Sequence, residues 1–322
     1  MSSMAHFISS TGGKGGTGKT LFAVNLSIVL QREGYKVLLL DCDTDCPNAS
    51  ILFGIDLESG PRQPDMREEV RQYLPEINPD LCSRCGDCAK VCRPHSIFHI
   101  PDIVPVVLPQ MCSGCGVCER ICPVHAISPN SRKLVGQIFI FNNVSESGTT
   151  SKGRLDLWVG RLEVGEVRSA FIIEEMLKKY HNSSASMIYD FVILDTSPGT
   201  HCDVEKCLKN SDAVVCITEP TPFGHRDLNR ILELAAFLKK PTKIVINRFG
   251  IANFLDPIYN LASEKSQGIM GKIPLDKQIL ESYAMGVPFV IRYPQSQITE
   301  NFTQITHNLV SWIREVAHSD RM

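Results

Sequence analysis

The chain carries almost no net charge: 33 lysines and arginines meet 35 aspartates and glutamates, a formal balance of −2. An electrostatic footprint for DNA or RNA is missing, so no nucleic-acid partner is expected. No apolar run approaches the roughly 18 residues of a membrane span, so no membrane partner is expected. The first six residues lack a basic stretch followed by an apolar core, which argues against a secretory leader. What remains is an ordinary globular composition, 43 % hydrophobic and 21 % charged over 322 residues. That length suits one large α/β domain with a small insert.

One residue type is in excess. There are thirteen cysteines, and eight form two copies of C-x2-C-x2-C-x3-C: Cys82, Cys85, Cys88 and Cys92, then Cys112, Cys115, Cys118 and Cys122. His95 and Ile97 recur as His125 and Ile127 at the same offset of thirty, which marks an internal duplication. So tight an array beside a phosphate-binding loop reads as metal ligation in a reducing cytoplasm rather than as disulfides. A cytoplasmic location is therefore expected. Structural zinc favours two C-x2-C pairs with a spacer, not three close cysteines plus a fourth.

Residues 12–20, Gly-Gly-Lys-Gly-Gly-Thr-Gly-Lys-Thr, follow a short apolar strand and precede a helical pattern. The G-x4-G-K-[ST] pattern runs from Gly13 through Thr20. Its glycines let successive backbone N–H groups wrap an oxyanion at the positive end of the next helix. Gly13, Lys14, Gly15, Gly16, Thr17, Gly18, Lys19 and Thr20 are the candidate nucleotide contacts. Lys19 would reach the β- and γ-phosphates, and the Thr20 hydroxyl would bind Mg2+.

Periodicity predicts a strand over 6–10, a helix over 20–32, and a strand over 36–40 ending at Asp41. Residues 58–79, rich in proline and charge, read as a mixed linker with a short helix. Further strands are expected over 133–141, 189–194, 213–218 and 243–246, and helices over 167–180 and 226–238. A last amphipathic helix over 296–317 has a polar face of mostly Gln, Thr, Asn and His. That face suits packing on the core better than a membrane surface. Strands alternating with helices on both sides of the cysteine block predict a doubly wound, mostly parallel α/β sheet interrupted once. The expected boundaries are 1–60 and 131–322 for the nucleotide domain and 78–130 for the insert.

The segment 12–20, with its early lysine, resembles the deviant Walker A motif of the MinD/ParA-superfamily P-loop ATPases. The whole chain resembles members of that superfamily that carry an inserted two-[4Fe-4S] ferredoxin domain of α+β type. The resemblance implies binding and hydrolysis of ATP with Mg2+. It implies that Lys14 crosses a dimer interface to the partner's nucleotide, as an arginine finger does; a solvated loop lysine is the alternative. Residues 38–43 resemble the switch I segment, in which Asp41 would support the Mg2+ shell and Asp43 would orient the attacking water. Asn48 matches a later position of that motif. Residues 190–199 resemble Walker B and switch II, with Asp195 on Mg2+ through water and the Gly199 N–H sensing the γ-phosphate. Asn247, Pro274 and Asp276 match the adenine-contacting strand and loop; Asn247 also suits a strand-end turn.

The cysteine runs resemble the bacterial ferredoxin pattern, in which the fourth cysteine of each run serves the other cluster. That implies one cluster on Cys82, Cys85, Cys88 and Cys122, and a second on Cys112, Cys115, Cys118 and Cys92. The first run departs from the pattern, with Arg93 where proline is usual. Of the other cysteines, Cys216 reads as core packing. Cys42, Cys46, Cys202 and Cys207 flank the switch segments without matching the bridging-cluster pattern of the nitrogenase iron protein family. Residues 218–224 read either as a dimer- or partner-facing loop or as a proline-stiffened connection. Three functions are carried forward. The first is an ATPase, dimeric with itself or a paralogue, coupling nucleotide state to clusters for a metalloprotein or redox partner. The others are a positioning or scaffold ATPase and an iron–sulfur cluster carrier.

Overall fold

The computed structural model describes residues 5–128, 131–144, 153–183, 188–265 and 267–319. Two compact units emerge: residues 1–67, 138–161 and 169–322 form the first, and residues 68–137 and 162–168 the second.

The chain enters the first unit through strand β1 (His6–Thr11), helix α1 (Lys19–Arg32), strand β2 (Lys36–Asp41) and helix α2 (Ala49–Leu52). Strand β3 (Met66–Tyr73) then leads into the second unit, which holds α3 (Asp87–Lys90), β4 (Ile97–Phe98), β5 (Val106–Val107) and α4 (Val117–Ile121). Strand β6 (Arg132–Phe141) returns from it, and β7 (Arg154–Leu162) follows. The remaining elements alternate: α5 (Ser169–Asn182), β8 (Phe191–Asp195), α6 (Cys202–Lys209), β9 (Ala213–Thr218), α7 (Pro222–Phe237), β10 (Thr242–Phe249), α8 (Leu255–Glu264) and β11 (Gly268–Pro274). Three helices close the chain: α9 (Lys277–Ala284), α10 (Phe289–Arg292) and α11 (Gln297–Ser319).

The nine-stranded sheet has the order β11-β10-β9-β1-β8-β2-β7-β6-β3. Strand β1 pairs in parallel with both β8 and β9, so the order reverses on either side of it. The pairs β2–β8, β2–β7, β9–β10 and β10–β11 are parallel too. This is the doubly wound α/β arrangement expected, and ligands in such sheets sit outside the carboxyl ends of the strands at the reversal. Helix α1 is buried on nearly every face, from Leu21 to Gln31. That explains why its sequence lacks a polar stripe. Helix α11 lays Ile298, Phe302, Ile305, Leu309 and Ile313 into the same core. Its apolar face is covered, as its composition predicts. No helix among the described residues is long and apolar enough to cross a membrane.

Residues 58–79 correct the sequence reading. In place of a linker with a short helix, Met66–Tyr73 is a strand at the end of the sheet order. Arg67, Glu69 and Arg71 face outward while Val70, Gln72 and Tyr73 are buried. Charge on an edge strand blocks pairing with other chains, and it also hides the alternation by which strands are recognised. Strand β7 escaped the sequence reading altogether.

The second unit is built on reciprocal exchange between the two cysteine repeats. Ile97 of the first repeat pairs with Val107, and Ile127 of the second forms an antiparallel bridge with Ile77. Each pair is the other shifted by thirty, with the repeats swapped. The same holds for two backbone bonds of 2.7 Å, Leu108 N–H to Ser96 O and Asn78 N–H to Ala126 O. Its core is small: Tyr73, Ile97, Cys118 and Ile127 are buried, and Ile77, Cys88, Ala89, Cys92, Val107 and Cys122 pack against them partly buried. A unit with so little apolar interior needs staples to hold its shape.

Candidate functional site

The nucleotide-type cleft lies in the first unit. It opens to about 450 Å3 and is lined by Gly15, Gly16, Gly18, Lys19, Thr20, Asp43, Asn247, Pro274 and Asp276, among others. That volume falls in the usual range of about 300–1,000 Å3 for ligand sites. Two glycines show where the loop tolerates no side chain. Gly18 has φ of 96°, and a Cβ there would stand 2.2 Å from Asn247 Nδ2. A Cβ on Gly13 would stand 2.4 Å from Asp227 Cβ. Gly13 and Thr17 thus shape the loop from behind, and Thr17 is buried.

Below the loop sit three acids and a lysine. Asp41 and Asp195 are register partners on β2 and β8, and both are fully buried. Asp41 accepts hydrogen bonds from the N–H groups of Ala49 at 2.9 Å and Asp43 at 3.2 Å. Neither carboxylate oxygen of Asp195 has a partner; the Thr20 side chain lies beside it, outside full hydrogen-bond geometry. Burial pushes the Asp195 carboxyl up to about 7, against the pull of Thr20 and Lys19. Burial raises Asp41 well above the carboxylate range, and the Asp195 charge adds to it. Asp43 is raised by burial, with Lys19 opposing. Lys19 is lowered by burial, with Asp195 and Asp43 opposing. A bare carboxylate pair at zero exposure is costly unless a cation completes it. The orphaned Asp195 oxygens beside Thr20 therefore fit a hydrated Mg2+.

Lys14 does not enter the cleft. Its Nζ lies 2.5 Å from Glu219 Oε1 and 5.8 Å from the Phe223 ring centre. Glu219 also takes Arg248 Nη1 at 3.0 Å on its other oxygen. Burial works against the Glu219 charge, but Lys14 and Arg248 outweigh it and hold the carboxyl below its usual range. Glu219 lies in the segment 218–224 singled out from the sequence, but its role as the partner of Lys14 shows only in the structure. Residues 218–224 form the proline-stiffened connection, one of the two readings their sequence allows, running from the end of β9 into the first turn of α7. There the Thr221 hydroxyl caps the helix by accepting the Gly224 N–H at 3.0 Å.

Three expected contacts are engaged otherwise. The Gly199 N–H donates to Gly12 O at 3.3 Å, so reaching a γ-phosphate requires that bond to break. Asn247 donates its Nδ2 to Thr17 O at 2.7 Å, which supports the loop from the end of β10. Asp276 caps α9 by accepting the Gln278 N–H at 2.7 Å. Sequence reasoning also missed the apolar side of the cleft, where Leu275, Leu280 and Tyr283 are exposed. Cys42 and Cys207 are fully buried and neighbour one another, so they cannot bridge two surfaces.

In the second unit, Cys82, Cys85, Cys88 and Cys122 line one cavity, with Ile77, Pro123 and Ile127 around them. Cys122 comes from the other repeat, through the reciprocal pairing. Cys118 has Cys112 and Cys115 beside it. No group of three or more Cys, His, Asp or Glu among the described residues converges on a single metal ion. Tetrahedral zinc would draw its sulfurs to about 2.3 Å from one point. Four thiols around a cavity fit a larger, multi-iron core. Main-chain N–H groups already point at the sulfurs: Ser96 to Cys92 at 3.3 Å, Gly114 to Cys112 at 3.4 Å and Ala126 to Cys122 at 3.2 Å. Such bonds stabilise cluster thiolates. His95 and His125 are exposed, with matching φ of 51° and 50°.

Residues 8–289 match the family model described as the CobQ/CobB/MinD/ParA nucleotide binding domain. The chain belongs to this family. As a MinD/ParA-superfamily P-loop protein it is 32 % identical over 308 residues to an uncharacterized protein of Methanocaldococcus jannaschii, covering 95 % of this chain and 97 % of that one. It is 21 % identical over 317 residues to a Pyrococcus horikoshii protein named iron-sulfur cluster carrier protein, covering 94 % of this chain and 85 % of that one. The solved septum site-determining protein MinD of Pyrococcus horikoshii, complexed with Mg-ADP, has a TM-score of 0.55 at 18 % identity, covering 95 % and 96 % of the two chains. At that identity the likeness concerns the fold.

Proposed function

We propose that this chain is a Mg2+-dependent ATPase that dimerises on ATP and couples its nucleotide state to two [4Fe-4S] clusters. The coupled output is electron transfer to, or maturation of, a metalloprotein partner. The observation that carries the reading is Cys122 standing with Cys82, Cys85 and Cys88 in a chain whose other unit holds the glycine-loop cleft. The family membership and the Mg-ADP in the structurally similar MinD support the nucleotide half.

The chain's own groups divide the work as follows. The loop N–H groups and Lys19 bind and orient the phosphates. Thr20, with Asp195 and Asp41 behind it, holds Mg2+, which supplies neutralisation of the phosphate charge. Asp43, beside Lys19 at the cleft, positions a water for attack on the γ-phosphorus. Lys14, freed from Glu219, contributes positive charge to a partner's nucleotide. Leu275, Leu280 and Tyr283 provide the apolar wall against which a base is held. Cys82, Cys85, Cys88 and Cys122 hold one cluster, and Cys112, Cys115, Cys118 and Cys92 the other; the clusters supply one-electron storage.

The experiment is anaerobic purification, ATP turnover, and electron paramagnetic resonance with and without ATP. Turnover with two reducible four-iron signals, altered by ATP, is the expected result. Clusters indifferent to nucleotide would remove the coupling. A second reading, transfer of clusters to apoproteins, is favoured by the name of the Pyrococcus horikoshii relative. It predicts loss of labelled iron to an acceptor, which fully ligated ferredoxin-type sites would resist.

A further inference from the structure

We infer that the two cluster sites are electronically unequal, and that the hydroxyls of Tyr73 and Ser96 give the site of Cys92, Cys112, Cys115 and Cys118 the higher reduction potential. The inference rests on the two-cluster reading above, and it concerns which site takes the first electron.

The duplication supplies its own control. At an offset of thirty, each position of one repeat has a counterpart in the other, so a difference stands out. Ser96 and Ala126 are such counterparts, and both are buried, at 1 % and 2 % exposure. Both give a main-chain N–H to the fourth cysteine of their run, at 3.3 Å to Cys92 and 3.2 Å to Cys122. Only Ser96 adds a hydroxyl, 3.1 Å from Cys92 Sγ. With free thiols either atom can donate. A metal-bound thiolate has no proton, so the serine must.

Tyr73 lies outside both repeats, at the end of β3. It is 8 % exposed, and its hydroxyl has no partner at full hydrogen-bond geometry. The Cys118 thiol and the Glu119 carboxylate are its polar neighbours. A buried phenol without an acceptor is costly. A thiolate at Cys118 supplies the acceptor that a neutral thiol supplies poorly. Thirty residues beyond Tyr73 stands Ile103, 52 % exposed. Cys88, the counterpart of Cys118, is surrounded by Cys82, Cys85 and Cys122. No hydroxyl bond to those four cysteines occurs among the described residues.

The fixed charges differ as well: Arg93 follows Cys92, where the counterpart is Pro123, and Lys90, paired with Asp87, stands near Cys85. One acid stands beside each site: Asp87 near Cys85, where the counterpart is Val117, and Glu119 near Cys118, where the counterpart is Ala89. The two hydroxyls both fall on one side, given the exchange of fourth cysteines implied by the reciprocal pairing. Hydrogen bonds to cluster sulfurs stabilise the more negative, reduced state and raise the potential. Ser96 and Tyr73 are positioning residues for that electron; they do not react.

The test is potentiometric electron paramagnetic resonance on the full chain, with iron and sulfide analysis of each sample. Wild type should give two separable midpoints. Ser96→Ala and Tyr73→Phe should each lower the higher midpoint and leave the other in place. A tenfold shift in the reduction equilibrium corresponds to about 59 mV for one electron. Ala126→Ser should raise the lower midpoint and narrow the gap. Ala126 shows that alanine fits the position, so Ser96→Ala should fold. About eight irons per chain with unmoved midpoints would overturn this inference alone. So would a shift of different midpoints by the two variants, or capture of the Tyr73 proton by Glu119, seen as no effect of Tyr73→Phe. Iron well short of eight would overturn the two-cluster reading and this inference with it.

Discussion

Lys14 and Glu219 form an ion pair within one chain, and the pair aims Lys14 away from the cleft that its own loop builds. Glu219 is nearly buried while Lys14 is about one-third exposed, so the carboxylate is the fixed partner and the lysine the movable one. A lysine that serves a neighbouring subunit must first leave this carboxylate. Glu219→Gln, which keeps the shape and removes the charge, should let dimers form at several-fold lower ATP concentration. Lys14→Ala should lower turnover by about 100-fold, the scale of losing one charge-stabilising donor, with little change in nucleotide binding by the monomer. Sedimentation and turnover assays on both variants decide this; unchanged behaviour of Lys14→Ala would return it to a loop lysine.

The Asp41–Asp195 pair makes the nucleotide-free protein sensitive to pH. Asp195 titrates near 7 when folded and near 3.8 when unfolded. Between those values the folded state binds the extra proton, so this group's contribution to stability falls as pH rises through the window. Asp195→Asn should therefore melt higher than wild type without Mg-ATP, by roughly 2 °C or more, and the gap should widen from pH 5 to pH 7.5. Saturating Mg-ATP should reverse the order. A gap that is flat with pH would count against the buried carboxylate as its source.

Asn247 tests loop support against base reading. Because its amide holds Thr17 O, Asn247→Ala should weaken ATP and GTP alike, by about tenfold, as expected for one buried hydrogen bond of about 1.4 kcal/mol. Gly18→Ala should lose binding of both, since its Cβ would strike Asn247. A selective loss of ATP in Asn247→Ala, measured by calorimetry, would favour the base contact.

Ligand exchange between repeats has a direct signature. Cys122→Ser should remove one ligand from the site of Cys82, Cys85 and Cys88 and leave the other site's signal near full intensity. Stripping iron from the wild type should expose residues 75–128 to proteolysis, because their apolar core is small. The first unit should stay resistant. Equal loss of both signals in Cys122→Ser would contradict the exchange.

Much of this was legible in the residues. The glycine loop, the acids ending β2 and β8, and the thirty-residue offset are local patterns, each dictated by a short-range need of backbone or ligand. The edge strand Met66–Tyr73 was not legible, because a solvent-facing strand carries charges that mimic a linker. Strand β7 passed unnoticed as well, although its residues from Leu155 to Gly160 are buried. Asn247 and Asp276 were found by their place in a motif, but their hydrogen bonds, to Thr17 and to the first turn of α9, follow from backbone geometry that no motif encodes.

Taken alone, the order of residues determined that this chain carries a glycine loop of the phosphate-wrapping kind and that its cysteines come in two equivalent sets, since spacing along a chain sets which groups can converge locally. Only the tertiary structure decided that Glu219 holds Lys14 and that Tyr73 and Ser96 bring hydroxyls to the cysteines of one site; the ferredoxin resemblance already implies that Cys122 joins the opposite run. Those contacts join residues from 4 to 205 positions apart. Packing of sheets and reciprocal strands brings the distant ones together, while the sharp turn after Cys92 aims Ser96 back at its sulfur.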